Sequence, residues 1–384
     1  MNAPARLLVV DDVEMNRDML SRRLGRLGYA VDVAENGRRA LELVRAAPYD
    51  LVLLDIMMPE VDGYRVLETM KGDADLRDVP VVMISAVGEV DSVVRCLELG
   101  AEDYLPKPFN PTILKARVGS TLERKRLRDQ ERLFAKAMER ELEIGRQIQA
   151  GFLPASLPRA EGWEIAARFT PARQCAGDFY DAFALAGGAL GLVVADVCDK
   201  GVGAALFMAL FRSLLRATAT QFGAGVSRQE VLRRTVRATN DYIALTHGSA
   251  SMFATVFFGL LDPESGSLLY VNAGHESPFV VGGGVVRARL APTGPALGML
   301  AELEFSAREE TIAKGELLLA FTDGVTEAKG PGGFFGEDRL LALLAEPHAS
   351  AESLLADLDA RLETHVGGAE RSDDVTVLAV LRTL

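Results

Sequence analysis

The sequence predicts two domains of different fold class, a doubly wound α/β domain and an α+β domain, joined by a long helix. In residues 1–118, short aliphatic runs alternate with segments of helical periodicity, which is typical of a parallel sheet covered on both faces. Glycine and proline then become rare and charges of both signs dense, which indicates one long helix. After residue 156, runs of strand length are interrupted by pairs of helical blocks, as in a β-sandwich flanked by helices.

The α/β domain is predicted to contain a five-stranded parallel sheet. Its strands are uninterrupted aliphatic runs, as expected for strands that are buried on both faces. Helical patterns, for example 15–27 and 91–99, lie between them. The predicted strands are 7–10, 31–34, 51–54, 81–84 and a weaker one ending at Leu105.

Residues 119–155 are predicted to form a helical linker with an apolar stripe. The stripe allows two interpretations, a solvated connector that packs on its neighbours or a coiled coil that dimerises and relays a signal. Glu141 and Gly145 interrupt the heptad pattern, so both interpretations stay open. The residues of the stripe are Leu127, Phe134, Met138, Leu142, Ile148 and Phe152.

The α+β domain is predicted over 156–384, with strands that supply two packed sheets. Two long helical blocks, 204–221 and 228–245, separate the second strand from the third, and shorter blocks follow near 338–344 and 351–365. The predicted strands are 163–169, 190–195, 253–261, 268–272, 317–321 and 375–381.

Composition and charge narrow the class of protein. Acidic residues number 54 against 42 lysines and arginines, a net charge of −12, which disfavours a nucleic-acid partner. The longest apolar stretch, 202–211, is about half a bilayer span, and acidic residues follow the N-terminus too soon for a secretory signal. Three cysteines without a CxxC pair fit a reducing compartment. We therefore expect a cytoplasmic protein that does not insert into a membrane.

Polar residues follow four of the predicted parallel strands. Asp11 and Asp12 come after the first, Asp55 after the third, Ser85 after the fourth and Lys107 after the fifth. The carboxyl ends of such strands lie at one edge of the sheet, where ligands bind. Three converging carboxylates need a cation, and a hard ion such as Mg²⁺ suits oxygen ligands. Lys107 could pair with a carboxylate or with an added phosphoryl group.

The motifs "VVDD", "LVLLDIMMPEVDG", "VVMISA" and "DYLPKPF" resemble the receiver domain of two-component response regulators, over residues 5–118. The resemblance implies that Asp55 is the phosphoacceptor and that a histidine kinase or phosphotransfer protein supplies the phosphoryl group. It also implies that Asp11, Asp12, Asp55 and the backbone carbonyl of Met57 hold Mg²⁺.

The same resemblance implies a set of switch residues. Ser85 would bind the phosphoryl group, Tyr104 would be the rotating aromatic residue, and Lys107 would contact the phosphoryl group. The Lys107–Pro108 bond would be cis, an isomer that only proline adopts at small cost.

The second domain contains four acidic clusters. Because aspartates at several strand ends can meet at one end of a sandwich, they would repel one another unless cations were bound. Oxygen ligands without clustered Cys or His favour Mg²⁺ or Mn²⁺ over zinc. The clusters are "AGDFYD" (Asp178, Asp181), "VVADVCDKG" (Asp196, Asp199), "FTDGVTEA" (Asp323, Glu327) and "RSDDVTVL" (Asp373, Asp374).

These motifs, with "IQAGFLP" and "NAGHESP", resemble the SpoIIE/RsbU branch of the type 2C metal-dependent Ser/Thr phosphatases, over residues 145–384. The resemblance implies two Mn²⁺ or Mg²⁺ ions bridged by Asp178. Asp196 and the backbone carbonyl of Val197 would complete one side, and Asp323 and Asp373 the other. A water molecule activated between the ions would attack phosphorus directly.

Three further positions lie near these ligands in the sequence. Ala176 stands where glycine is common in the family, and Asp199 replaces the frequent glycine before the lysine of "KG", adding negative charge near the metals. Asp374 is the weaker candidate beside Asp373, because successive residues of a strand point to opposite faces.

The combined pattern is typical of a bacterial response regulator whose phosphorylation at Asp55 controls a protein phosphatase. By resemblance, the substrate is a phosphoserine or phosphothreonine protein such as an anti-sigma-factor antagonist. The alternative is a non-catalytic adaptor or dimer scaffold gated by phosphorylation. Such adaptors normally lose metal ligands, whereas all four aspartates are present here.

Overall fold

The structure is a computed structural model, and it describes residues 4–86, 90–223, 225–369 and 371–383. The chain forms two compact units, and Met138 ends the first while Glu139 begins the second. Each unit has its own sheets and its own hydrophobic core.

The first unit contains one parallel sheet, as predicted. Its strands are β1 (Arg6–Val10), β2 (Ala30–Ala34), β3 (Leu51–Asp55), β4 (Val81–Ala86) and β5 (Asp103–Lys107). The strand order is β2-β1-β3-β4-β5, with every neighbouring pair parallel. All five residues of the central strand β3 are buried, which explains its uninterrupted aliphatic sequence.

Helices cover both faces of this sheet. They are α1 (Glu14–Arg26), α2 (Gly37–Ala46), α3 (Gly63–Gly72), α4 (Val90–Glu98) and α5 (Pro111–Ala150). Leu20 of α1 and Val118 of α5 pack on one face, and Ala40 of α2 and Leu67 of α3 pack on the other. Helix α5 has 40 residues, so the predicted long helix is present, and it continues into the second unit.

The second unit contains two five-stranded antiparallel sheets. Its strands are β6 (Trp163–Thr170), β7 (Phe179–Ala184), β8 (Leu190–Val197), β9 (Ala254–Leu261), β10 (Ser267–Ala273), β11 (Phe279–Gly282), β12 (Val285–Arg289), β13 (Arg308–Thr311), β14 (Leu317–Phe321), β15 (Lys329–Gly330), β16 (Gly333–Phe334) and β17 (Val375–Arg382). One sheet has the order β13-β10-β9-β8-β7 and the other β12-β11-β14-β17-β6, while β15 and β16 form a hairpin.

The two sheets pack face to face, with helices on both outer surfaces. Residues such as Val194 and Leu378 fill the space between the sheets. The helices are α6 (Val202–Thr220), α7 (Arg228–His247), α8 (Asp323–Thr326), α9 (Gly336–Leu344) and α10 (Ala351–Val366). Helices α6 and α7 share a core with the first sheet, and α9 and α10 with the second. This is the predicted sandwich flanked by helices.

Helix α6 includes the apolar stretch 202–211 and continues beyond it to Thr220. Judged by length and composition alone, α6 is long and apolar enough to cross a membrane, and no other described helix is. Six of its nineteen residues are buried within the unit.

Several strands of the second unit were not predicted. Strands β12 and β13 lie at sheet edges, where one side of each strand faces solvent and charged side chains are tolerated. Strand β7 is also an edge strand, and Asp181 interrupts its apolar run. Edge positions therefore hid these strands from a search for continuous apolar runs.

Candidate functional site

The carboxyl edge of the parallel sheet gathers the acidic residues of the first unit. Asp11 follows β1, Asp55 ends β3 and Lys107 ends β5. The Lys107 Nζ atom lies 2.8 Å from Oδ2 of Asp55 and 3.0 Å from Oδ2 of Asp11. One carboxylate oxygen from each of Asp11, Asp12 and Asp55 lies within 4.8 Å of the others. This oxygen donor set fits a hard divalent cation such as Mg²⁺. The Lys107–Pro108 peptide bond is cis, as expected.

Asp55 and Asp11 are almost completely buried. Burial raises the pKa of Asp55, and the nearby ammonium of Lys107 opposes that rise. Asp11 accepts hydrogen bonds from the side-chain amide of Asn16, at 3.0 and 3.1 Å, and from the backbone N–H of Val13, at 2.9 Å. Sequence reasoning did not single out Asn16, because a polar residue in the first turn of a helix is common.

The predicted switch residues lie on the same half of the sheet. Ser85 is buried on β4, and Tyr104 is half-buried on the neighbouring strand β5. The Tyr104 ring centroid lies 5.4 Å from Cζ of Arg117, a residue of α5. Met57 lies in the loop after β3 with an exposed side chain, so only its backbone is a candidate ligand.

The four aspartates of the second unit come from the ends of strands in both sheets. Asp178 directly precedes β7 and Asp196 is the penultimate residue of β8, both in the first sheet. Asp323 follows β14 by two residues and Asp373 precedes β17 by two, both in the second sheet. Val197, the fifth predicted ligand, ends β8. The sandwich therefore supplies candidate ligands from both layers.

Thr322 connects the two sheets at this point. Its hydroxyl donates a hydrogen bond of 2.7 Å to Oδ2 of the buried Asp178, and its oxygen accepts one of 3.0 Å from the backbone N–H of Thr376. The threonine was not predicted, because its partner Asp178 lies 144 positions away and a threonine at a strand end carries no distinctive signal.

The carboxylates raise one another's pKa. Burial and the charge of Asp196 raise the pKa of Asp178 well above its usual range. Burial, followed by the charges of Asp323 and Asp373, raises the pKa of Asp196 to about 7. Burial, Asp373 and Glu327 raise the pKa of Asp323 to about 6. The cluster thus has the self-repulsion that divalent cations relieve, and its oxygen-only donors fit Mg²⁺ or Mn²⁺.

Asp373 has a second neighbour besides the other aspartates. Its Oδ2 atom lies 2.9 Å from Nζ of Lys200. Within the described residues, three carboxylates with ligand atoms inside 4.8 Å of one another are found at Asp11, Asp12 and Asp55 only. The second-unit aspartates are therefore more widely spread, and Asp373 is held by a lysine.

Asp374 holds the loop that leads to Asp178. Its two oxygens accept hydrogen bonds from the backbone N–H groups of Ala172, at 2.7 Å, and Gly177, at 2.9 Å. Gly177 lies against the carbonyl oxygen of Val197, where an added Cβ would come within 2.6 Å. Both contacts explain why this loop can place Asp178 beside β8.

The last turns of α5 hold the same loop from another direction. The buried side chain of Gln149 donates a hydrogen bond of 2.6 Å to the carbonyl oxygen of Ala176 and accepts one of 3.0 Å from the N–H of Ala176. Gln149 belongs to the motif "IQAGFLP", but no feature of that motif predicts this role for it. The loop before Asp178 is thus fixed by a glutamine and an aspartate.

Other residues of the acidic clusters lie outside the carboxylate group. Asp181 is buried and forms ion pairs of 3.0 Å with Arg212 and Arg216 of α6. Asp199 is exposed and has a φ of 74°, in the left-handed region that glycine adopts without strain.

His275 of "NAGHESP" is buried, and its Nδ1 atom lies 2.8 Å from the Thr255 hydroxyl. Burial lowers the pKa of His275 to about 3, so its imidazole is neutral near pH 7. Its backbone N–H donates to the side chain of Asn272 at 2.8 Å. These contacts indicate a structural histidine.

Comparison with protein families identifies both halves of the chain. The profile of the response regulator receiver domain matches residues 7–119. The profile of stage II sporulation protein E (SpoIIE) matches residues 186–383. Proteins with these two domains generally use divalent metals.

Individual proteins are similar to parts of the chain. Protein IcfG of Synechocystis sp. is 44% identical over 262 residues, which cover 63% of this chain and 41% of IcfG. Protein ycf27 of Porphyra purpurea is 44% identical over 123 residues, which cover 32% of this chain and 49% of ycf27. The chain therefore spans less than half the length of either relative.

Among solved structures, the SiaA-PP2C domain of Pseudomonas aeruginosa shares the fold, with a TM-score of 0.55 and 21% identity, covering 65% of this chain and 98% of that domain. The antiparallel sandwich and its helices agree with that likeness. The chain belongs to the SpoIIE family of protein phosphatase domains and carries a response regulator receiver domain before it.

Proposed function

We propose that this protein is a response regulator in which phosphorylation of Asp55 controls a metal-dependent protein serine/threonine phosphatase. The observation that carries the proposal is the buried carboxylate of Asp178, which lies beside Asp196 and accepts a hydrogen bond from Thr322. Adjacent buried carboxylates are costly to keep charged unless cations neutralise them. Such a pair is better suited to binding metal ions than to stabilising the fold.

Five groups are proposed to hold two Mn²⁺ or Mg²⁺ ions. Asp178 would bridge them, Asp196 and the carbonyl of Val197 would complete one side, and Asp323 and Asp373 the other. When bound, the ions would lower the pKa of a water molecule and neutralise charge on the phosphoryl oxygens.

Two further groups would position these ligands, and a third would add charge. Thr322 orients the Asp178 carboxylate by donating to Oδ2. Asp374 fixes the preceding loop through two backbone N–H groups, which leaves neither of its oxygens free of a hydrogen bond. We therefore assign Asp374 a supporting role. Exposed Asp199 would add negative charge at the rim of the site.

In the receiver domain, Asp55 is proposed to accept a phosphoryl group from a histidine kinase or phosphotransfer protein. Asp11, Asp12, Asp55 and the carbonyl of Met57 would hold the Mg²⁺ that neutralises charge during transfer. Lys107, which already contacts Asp55, would bind the added phosphoryl oxygens.

The response to phosphorylation is proposed to involve Ser85 and Tyr104. The Ser85 hydroxyl would move toward the phosphoryl group and Tyr104 would turn inward. The Tyr104 ring now lies against Arg117 of α5. Its rotation would therefore change a contact near the start of the long helix.

Helix α5 is proposed to carry the signal through residues 119–155, between a receiver domain over 1–118 and a phosphatase domain over 156–384. Several apolar residues of the helix are exposed, among them Phe134 (75% exposed) and Ile148 (61%), which favours a homodimer formed along it. Inserting two alanines within 119–138 would turn the helix by about 200°. The insertion should uncouple turnover from Asp55 without changing Mn²⁺ affinity, and unchanged regulation would refute the helix proposal.

The substrate is proposed to be a phosphoserine or phosphothreonine protein of the bacterial cytoplasm, such as an anti-sigma-factor antagonist. This proposal rests on the SpoIIE family match. The net charge of −12 supports a protein substrate over a nucleic acid.

Catalysis can be tested by following aryl phosphate hydrolysis by the full chain with Mn²⁺. We expect turnover that EDTA abolishes, that Asp323→Asn reduces by about 100-fold or more, and that Asp338→Asn leaves unchanged. Asp338 is an exposed carboxylate of the same domain and controls for the loss of one charge. Wild-type protein that neither binds Mn²⁺ nor hydrolyses an aryl phosphate or a phosphoserine protein would favour the adaptor or scaffold instead.

A further inference from the structure

Lys200 makes the closest cationic contact with the carboxylate cluster. It lies in the loop between β8 and α6, and its Nζ atom is 2.9 Å from Oδ2 of Asp373 and 2.8 Å from the carbonyl oxygen of Ser372. Across the part of the chain that the structure describes, no other cation forms an ion pair with Asp178, Asp196, Asp323 or Asp373.

The contact places an ammonium on a proposed metal ligand. A divalent cation and Lys200 would compete for the same carboxylate, and two cations on adjoining sites repel each other. The Lys200 side chain is 38% exposed and has a flexible four-carbon stem, so it can leave Asp373 without disturbing the core. We therefore expect metal binding to displace Lys200 from Asp373.

A released ammonium would face a site with an excess of negative charge. Two divalent ions balance the four aspartates, but Glu276 and Glu327 lie close enough to Asp323 to raise its pKa, and Asp374 is adjacent to Asp373. A phosphate ester brings further negative charge into these surroundings. A cation at the rim would lower the electrostatic cost of binding it.

We propose that Lys200 is the counter-cation of Asp373 in the metal-free protein and that, once metal binding has displaced it, its ammonium binds the phosphoryl oxygens of the substrate. This inference rests on the proposed function and assigns a substrate-binding residue to the same site. No covalent bond changes at Lys200, which stays protonated throughout.

The competing explanation is that Lys200 only ties two loops together. A structural tie would keep Asp373 in place for the metal, so removing it would weaken Mn²⁺ binding. A competing counter-cation has the opposite effect, because its removal leaves Asp373 free and lowers the local positive charge. The sign of the change in Mn²⁺ affinity therefore separates the two explanations.

The test compares Lys200→Met, which keeps the stem without the charge, with Lys200→Arg, which keeps the charge. Mn²⁺ binding to the full chain is measured by calorimetry at low ionic strength. We expect Lys200→Met to bind Mn²⁺ about two- to fivefold more tightly than wild type, the range of a partly exposed ion pair. Lys314→Met, in the turn before β14, removes an exposed lysine as a control and should leave the affinity unchanged.

Phosphoryl binding is measured as inhibition of Mn²⁺-dependent aryl phosphate hydrolysis by inorganic phosphate. The inhibition constant should rise about tenfold or more in Lys200→Met, since a charge-assisted hydrogen bond is lost, and change by less than about threefold in Lys200→Arg. Unchanged or weaker Mn²⁺ binding, or an unchanged inhibition constant, would overturn the proposal. Failure of wild type to hydrolyse any phosphate ester would instead refute the proposed function, and calorimetry would still test the contact with Asp373.

Discussion

The hydroxyl of Thr322 donates a 2.7 Å hydrogen bond to Oδ2 of Asp178, and this bond joins the two sheets of the sandwich at the carboxylate cluster. Thr322 follows β14 of one sheet, and Asp178 precedes β7 of the other. Because Thr322 also accepts a hydrogen bond from the Thr376 N–H, its orientation is fixed from both sides. The position of the central candidate ligand therefore depends on a residue outside the proposed set of metal ligands.

Replacing Thr322 with valine should weaken metal binding and destabilise the protein. Valine keeps the shape of threonine but leaves Asp178 without its donor and the buried N–H of Thr376 without its acceptor. We expect a loss of about 1–3 kcal/mol in the free energy of unfolding, and Mn²⁺ binding weaker by about 10–100-fold.

Denaturant unfolding and calorimetry check both effects. The matched control is Thr364→Val, which removes a hydroxyl on the exposed face of α10 and should cost less than about 0.5 kcal/mol. Equal behaviour of the two variants would contradict the positioning role of Thr322.

The metal-free protein should lose stability as the pH rises through the pKa values of the cluster. The pKa is raised to about 7 for Asp196 and about 6 for Asp323, so the folded protein holds these protons more tightly than the unfolded chain. This contribution to stability is complete below the ordinary pKa of 3.8 and is lost as the pH rises through 6 and 7.

Melting temperatures in EDTA, measured from about pH 5 to about pH 8, check this dependence. The decrease should be smaller in Asp196→Asn than in wild type or in Asp338→Asn, and saturating Mn²⁺ should restore stability at the upper end. Parallel curves for wild type and Asp196→Asn would show that the cluster does not carry the effect.

Replacing Gly177 with alanine should displace the loop that holds Asp178. The added methyl group would lie 2.6 Å from the carbonyl oxygen of Val197, a backbone atom that cannot move without shifting β8. We expect destabilisation of about 1–3 kcal/mol and weaker Mn²⁺ binding. Gly119→Ala, in α5 with no atom within 4 Å of the added carbon, should stabilise the helix by up to about 1 kcal/mol. A Gly177→Ala protein with wild-type Mn²⁺ affinity would argue against Val197 as a ligand.

Gln149→Ala should lower turnover by loosening the same loop. The substitution removes both hydrogen bonds to the backbone of Ala176, two residues before Asp178. We expect kcat to fall by about tenfold or more, corresponding to at least 1.4 kcal/mol in the barrier. Gln147→Ala serves as the control, because Gln147 is exposed and its side chain donates a hydrogen bond to Glu143 of the same helix rather than to the loop. A Gln149→Ala enzyme as active as Gln147→Ala would show that the loop is held without the glutamine.

The fold class was predictable because each layer leaves a simple pattern. Strands buried on both faces, such as β3, read as uninterrupted aliphatic runs, and α5 reads as a long charged segment almost free of glycine and proline. Edge strands such as β13, whose sequence is REET, pair with a neighbouring strand on one side only. Because the other side faces solvent, such a strand needs no apolar run. Pairing partners distant in sequence define such strands, and a single sequence does not contain that information.

The candidate site was predictable where charge and strand ends coincide. Asp11, Asp55 and Lys107 were expected to meet because parallel strands end at one edge, and the structure brings them together. Thr322 and Gln149 were missed because they are uncharged and act through partners that the fold alone brings near. Asp181 shows the reverse case, since its place in an acidic motif concealed its ion pairs with α6.

Control of phosphate ester hydrolysis by the state of Asp55 can be tested directly. The rate of Mn²⁺-dependent aryl phosphate hydrolysis is measured for the full chain with and without beryllofluoride, which mimics a phosphoryl group on aspartate, in wild type and in Asp55→Asn. We predict that beryllofluoride changes the wild-type rate by about fivefold or more and leaves Asp55→Asn unaffected. A wild-type rate that ignores beryllofluoride, or an equal response in Asp55→Asn, would contradict control through Asp55.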